Sequence, residues 1–160
     1  VERIMKGNKK LIDKLNALLS DELTAINQYM VHAEMAENWG YKGLAKSVEM
    51  RAITEMKHAE KLIARILFLE GIPVVSHYGK IHIGAEIPKQ VQNDLNAEYS
   101  AVKGYNEGIQ IAMEVHDNAT KDILQSILDD EDSHVDELEE KTDQIAQLGI
   151  QNFLLTQVKE

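Results

Sequence analysis

Glu55-Met56-Lys57-His58 and Glu131-Asp132-Ser133-His134 each read E-x-x-H. Residues three apart share one face of a helix, so each copy aims a carboxylate and an imidazole at one point. Two further acids share a second pattern, E-x-x-A-x-x-x-Y: Glu22 with Tyr29, and Glu98 with Tyr105. Glu22 and Glu98, Glu55 and Glu131, His58 and His134, and Tyr29 and Tyr105 all stand 76 residues apart. One helix pair with its ligands thus occurs twice, as expected for a site on a pseudo-twofold axis inside a bundle. Four carboxylates and two imidazoles are hard and borderline donors that suit iron or manganese. A lone Glu on each of two helices, with Glu-x-x-His on the other two, is the ligand set of a di-iron or di-manganese carboxylate bundle. Two divalent cations bring four positive charges, which four carboxylates cancel. Carboxylates bridging metals about 4 Å apart would let dioxygen or peroxide take two electrons at once, with no free one-electron product. A single E-x-x-H in an acidic helical chain says little. The competing reading, four unrelated buried Glu with two hydrogen-bonded His, leaves the common offset unexplained.

Positioning these side chains takes four long helices. The first is predicted from about Asn8 to Asn38, with the seam Leu11, Leu15, Leu18, Glu22, Ala25, Tyr29 in alternating steps of four and three, the core stripe of a bundle helix. Glu22 stands where another Leu is expected. Buried and unpaired it would cost several kcal/mol, which a cation, a Tyr hydroxyl or a Lys could remove. Asn38-Trp39-Gly40 ends the helix with a Gly cap. The second helix is predicted from Lys42 to Glu70, stopping at Gly71-Ile72-Pro73, with Leu44, Val48, Glu55, His58, Leu62 and Leu69 inward. The third runs from Pro88 to about His116, with Val91, Leu95, Glu98, Ala101, Tyr105, Ile109 and Ala112 inward. Its interior Gly104 and Gly108 weaken it by about 1 kcal/mol each and admit a close neighbour or a local bend. The fourth runs from Asn118 to Leu148, with Leu124, Ile127, Glu131, His134, Leu138 and Ile145 inward, and Gly149 ends it. Between Pro73 and Pro88 the pattern is lost for long enough to cross the length of a bundle; His77 and His82 there read as surface histidines. A short apolar piece, Phe153-Leu154-Leu155 with Val158, cannot stand alone and should pack on another subunit or on the bundle end.

The bulk numbers agree. The 160 residues suit one domain, 1–160, with an adequate core. Cys is absent, which excludes disulfides and thiolate metal sites and suits a reducing compartment. The net charge of −10 repels nucleic acid and attracts cations. No apolar run is long enough for a membrane span, and the start Val1-Glu2-Arg3-Ile4-Met5-Lys6-Gly7 lacks an apolar signal region, so a cytoplasmic location is expected.

On Asp21–Tyr29 (DELTAINQY), Thr54–Glu60 (TEMKHAE) and Arg65–Gly71 (RILFLEG) the sequence resembles the bacterioferritins, the haem-containing branch of the ferritin family, continuously from Met5-Lys6-Gly7 to the C-terminus. Members usually begin at Met-Lys-Gly, so Val1 to Ile4 read as an extension or a different start. The resemblance implies an all-α, ferritin-like four-helix bundle with a long crossover between the second and third helices and a short fifth helix. It implies a ferroxidase centre in which Glu22 and His58 are terminal ligands of one iron, Glu98 and His134 of the other, Glu55 and Glu131 bridge, and Tyr29 hydrogen-bonds a bridging carboxylate. The implied reaction is oxidation of Fe(II) by dioxygen or peroxide, with the ferric mineral stored inside a homo-oligomeric shell of twenty-four chains. The alternative is a di-iron or di-manganese peroxidase or oxidase of the same superfamily that stores nothing. A haem-binding shell subunit with an idle centre is a third reading, and all six ligands being present argues against it. A helical cytokine-like module is disfavoured by the pattern of buried charge.

Met56 points away from Glu55, because one residue is about 100° around a helix. Ala52, Met56, Ala59, Ile63 and Leu67 make a second apolar stripe, most simply covered by a twofold-related subunit. On general grounds a Met there is interface packing; the resemblance instead implies the axial ligand of a haem b, one Met56 from each subunit of a haem-bridged dimer. Methionine ligation raises a haem potential and would suit electron delivery from a ferredoxin-type donor for iron release. One departure stands out. Some bacterioferritins carry a His and an Asp for an extra inner-surface iron site where this chain has Met50 and Thr54, so such a site is not expected.

Overall fold

The computed structural model describes residues 7–160; the proposed extension Val1–Ile4 lies outside them. Four long helices, α1 (Lys9–Asn38), α2 (Lys42–Phe68), α3 (Ile87–Glu114) and α4 (Asn118–Leu148), are followed by α5 (Ile150–Leu155). No strand occurs among the described residues. The ends are set by local chemistry. Asn8 accepts the Leu11 amide and Asp117 the Thr120 amide, each giving an otherwise orphaned first-turn N–H a partner. After α1, Gly40 takes a left-handed φ of 84°, and the Tyr41 amide returns to the Ala36 carbonyl. After α2 the left-handed residue is Glu70, with the Gly71 amide returned to Ile66. The helix therefore stops at Phe68, two residues before the predicted end.

Short connections make α1 with α2, and α3 with α4, two hairpins. The long crossover from 69 to 86 lies along α1. Every fourth residue of α1 holds it: Asn16 bonds Ile72 and Val74, Ser20 bonds the His77 carbonyl, Thr24 accepts the Gly79 amide, Gln28 the His82 amide, and His32 the Gly84 amide. A segment without secondary structure must find partners for its backbone groups, and this polar row supplies them.

Two apolar clusters fill the interior. Leu11, Leu15, Leu18, Leu62, Ile66, Tyr105, Leu124 and Ile127 belong to one. Tyr29, Ala36, Leu44, Val48, Val91, Leu95, Leu138 and Phe153 belong to the other. Phe153 is fully buried, so α5 packs on its own bundle end, the second of the two expectations for that piece. The Gly43 amide also bonds the Gln157 carbonyl. Gly104 and Gly108 serve close approach: a Cβ on either would meet a Leu18 methyl at 3.1 or 3.2 Å. The expected outer stripe of α2 is narrower than its sequence suggests. Ala52 and Ala59 are buried, while Met56 and Leu67 are exposed.

Candidate metal centre

Glu22, Glu55, His58, Glu98, Glu131 and His134 all reach the interior, each at most 8% exposed. Each stands on its helix where the apolar seam would otherwise continue, so the burial of the seam carries the charge inside. The atoms form two sets sharing two members. Glu22, Glu55, His58 and Glu131 converge in one, and Glu55, Glu98, Glu131 and His134 in the other, with one donor atom per residue and all within 4.8 Å of one another. His58 Nδ1 lies 3.4 Å from Glu22, 3.7 Å from Glu55 and 3.1 Å from Glu131. His134 Nδ1 lies 3.0 Å from Glu55 and 3.4 Å from Glu98 and from Glu131.

Seven of these atoms are buried without a hydrogen-bond partner: both Nδ1 atoms, both oxygens of Glu131, and one oxygen each of Glu22, Glu55 and Glu98. Natively buried polar atoms almost always have a partner. Seven orphans facing one volume, all of them oxygen or imidazole nitrogen, fit a pair of hard or borderline cations.

The electrostatics show how the six groups coexist. Burial, and then the charge of Glu55, pushes the Glu22 carboxyl well above its usual range. Burial, together with the neighbouring Glu131 carboxylate, lifts Glu98 to about 7. Burial also opposes the charge of Glu55, but the close approach of Glu22, His134 and His58 outweighs it and holds Glu55 at about 2. Glu131 is lowered in the same way. Burial disfavours both imidazolium ions, yet the carboxylates facing them win, raising His58 and pushing His134 up to about 12. Without cations, the two imidazolium charges therefore offset the Glu55 and Glu131 carboxylates, and Glu22 and Glu98 are the acids that burial pushes toward the neutral form.

Two tyrosines close the centre, and the pairing differs from the expectation for Tyr29. Its hydroxyl donates to Glu98 at 2.6 Å, a carboxylate in only one of the two sets, rather than to Glu55 or Glu131, which are in both. Tyr105, noted in sequence only as the repeat partner of Tyr29, does the same for Glu22. Each half of the repeat thus lends its tyrosine to the lone acid of the other half.

Around Tyr29 the repeat breaks down. The Arg51 guanidinium lies 5.0 Å from the Tyr29 ring centroid and donates to Asp94, which also binds Gln28 and His32. All four polar residues are buried. The Gly84 amide donates to His32 Nε2, so Nδ1 carries the proton given to Asp94. Seventy-six residues from Gln28, His32, Arg51 and Asp94 stand Gly104, Gly108, Ile127 and Leu18, which pack as an apolar patch. A cleft of about 520 Å³ touches Glu22, Glu55 and Glu98 between α1 and α3 and is lined farther out by exposed Lys80, His82 and Lys89.

Residues 12–148 match the ferritin family, described as a ferritin-like domain. The chain is 44% identical to a protein of Rhodobacter capsulatus named bacterioferritin, over 94% of each chain. It is 38% identical to a bacterioferritin of Brucella melitensis, over 93% of this chain and 92% of that one. A bacterioferritin of Streptomyces coelicolor is 35% identical over 98% and 93%.

Proposed function

Since the chain belongs to the bacterioferritins of the ferritin family, we propose that it is a ferroxidase that takes Fe(II) as substrate and stores the ferric product inside a homo-oligomeric shell of twenty-four chains in the cytoplasm. The observation that carries this reading is the convergence of seven partnerless oxygen and nitrogen atoms from four helices. Glu22 and His58 would hold one iron, Glu98 and His134 the other, and Glu55 and Glu131, the residues common to both sets, would bridge. An iron pair so held supplies two electrons to dioxygen or peroxide together.

The chain's own residues do the rest. His58 and His134 give up their Nδ1 protons as iron enters, and Glu22 and Glu98 give up their carboxyl protons. Tyr29 and Tyr105 keep Glu98 and Glu22 oriented by donating to one oxygen, and the other, Oε2 in each, is left without a hydrogen-bond partner. The apolar clusters on both sides exclude bulk water. Seen from outside, the cleft under the crossover offers iron and oxidant a way in.

Met56 supports the haem part of the reading. It is 46% exposed on the outer face of α2, in line with exposed Leu67 and partly buried Ile63, so its thioether and that apolar strip face outward together. Paired with the same face of a second subunit, two Met56 side chains would be axial ligands to one haem b, with a ferredoxin-type protein as electron donor for release.

Aerobic addition of Fe(II) to metal-free protein, followed by ferric absorbance, tests the ferroxidase reading. A fast phase saturating at about two irons per chain, absent in His134→Ala, is the expected result. A slower phase beyond that ratio marks storage; a fast phase alone favours the non-storing oxidase. No fast phase in the native protein refutes the ferroxidase assignment.

A further inference from the structure

The centre repeats itself in almost every respect. Each set has one lone Glu, one His and the same two shared acids, and each lone Glu accepts from one tyrosine. Apart from the polar network around Tyr29, the exception is behind the imidazoles. His58 Nε2 lies 2.8 Å from Asp130 Oδ2. The residue 76 positions before Asp130 is Thr54, whose hydroxyl donates to the Met50 carbonyl of its own helix at 3.1 Å. Among the described residues nothing bonds His134 Nε2. The His134 side chain is 11% exposed against 1% for His58.

A carboxylate that accepts from the far nitrogen of a ligating histidine fixes the tautomer, holds the ring orientation and raises the basicity of the nitrogen facing the metal; losing it typically costs about 10- to 100-fold in metal affinity. Both Nδ1 atoms face the acids, so both histidines would ligate through Nδ1 and must carry their proton on Nε2. His58 has an anionic acceptor for that proton; among the described residues His134 has none. The buried Arg51 stacks on Tyr29, which donates to Glu98 of the His134 set, but it is paired with Asp94, which leaves Asp130 as the main asymmetry.

We propose that the two metal positions are unequal, with Asp130 acting as a positioning residue that makes the His58 position the tighter one. The inference rests on the two-metal reading of the site. It makes the His134 position the one that releases its metal first, and so the exchangeable half of the centre.

The test is Co(II) titration of the metal-free protein without oxygen, read by visible absorbance and by competition with a chelator. Wild type should bind about two Co(II) in steps about 10- to 100-fold apart. His58→Ala should remove the tight step and His134→Ala the weak one. Asp130→Thr should weaken the tight step until the two merge, and Asp130→Asn, which keeps an acceptor oxygen, should recover part of the difference. Thr54→Asp should tighten the weak step by a similar factor with the total unchanged. Equal steps in wild type, an Asp130→Thr effect on the weak step alone, or a third Co(II) in Thr54→Asp with the weak step unmoved would each overturn the proposal. No tight Co(II) binding at all would instead refute the two-metal reading beneath it.

Discussion

Loading the centre should exchange protons for metal with almost no change in net charge. The six groups hold up to four protons in the absence of cations: one each on His58, His134, Glu22 and Glu98. His134 titrates at about 12 and His58 is raised too, so both are full at any ordinary pH. Glu22 is raised well above its usual range. Glu98, at about 7, is the member that changes state. Glu55 at about 2 and the lowered Glu131 stay ionised. Two imidazolium ions against two carboxylates sum to zero, as do two divalent cations against four carboxylates. A net charge left in such a buried place costs several kcal/mol, so this balance favours both states. Binding of two Zn(II), which cannot be oxidised, should then release up to four protons per chain at pH 6 and fewer at pH 8, where Glu98 is already ionised. The sign follows: protons compete with metal, so affinity falls as pH drops. The overall two-metal constant should fall more steeply per unit below pH 7 than above it, by about one further factor of 10 per unit for the Glu98 proton. Calorimetry in two buffers of different ionisation enthalpy counts the protons at each pH. Glu98→Gln should abolish the difference between pH 6 and pH 8. Release of two protons or fewer, or a pH-independent constant, would refute the charge assignment.

Other perturbations test the surroundings of the centre. Tyr105→Phe removes the donor to buried Glu22 and should lower the stability of the metal-free protein by about 1–3 kcal/mol, seen as a lower melting temperature against wild type. Asp94→Ala strands the Arg51 guanidinium, at a cost of about 3–5 kcal/mol. Because Gln28 and His32 also lose their anchor, amide exchange at His82 and Gly84 should speed up; unchanged exchange there would sever the network from the crossover. Met56→Leu should keep the helical signal and the fast iron phase while losing haem absorbance, whereas haem retained at full occupancy would remove Met56 as the ligand.

Contacts within one helix were legible in the sequence because the helical period alone decides them. The two E-x-x-H pairs, the acids interrupting the apolar seams, the four helices and the long gap before Pro88 all follow from spacing along the chain. The common offset of 76 further indicated that the six ligand candidates belong to one centre, and the structure brings all six together. Contacts between helices depend on axial register and on the rotation of each helix about its axis, and neither is written in spacing. Tyr29 therefore has Glu98 as its partner rather than a shared acid, and Tyr105 joins the centre from the opposite half. Ala52 and Ala59 count as outer-stripe residues by periodicity, but the approach of neighbouring helices buries both. The row Asn16, Ser20, Thr24, Gln28, His32 is visible in the sequence as polar residues four apart; its role as the seat of the crossover needed the path of a segment with no period of its own. Asp130 follows the same logic, since it reaches His58 across 72 residues of chain. Sequence determined which side chains could act together; the packing of the helices decided which of them touch, and with that where the two halves of the centre cease to be alike.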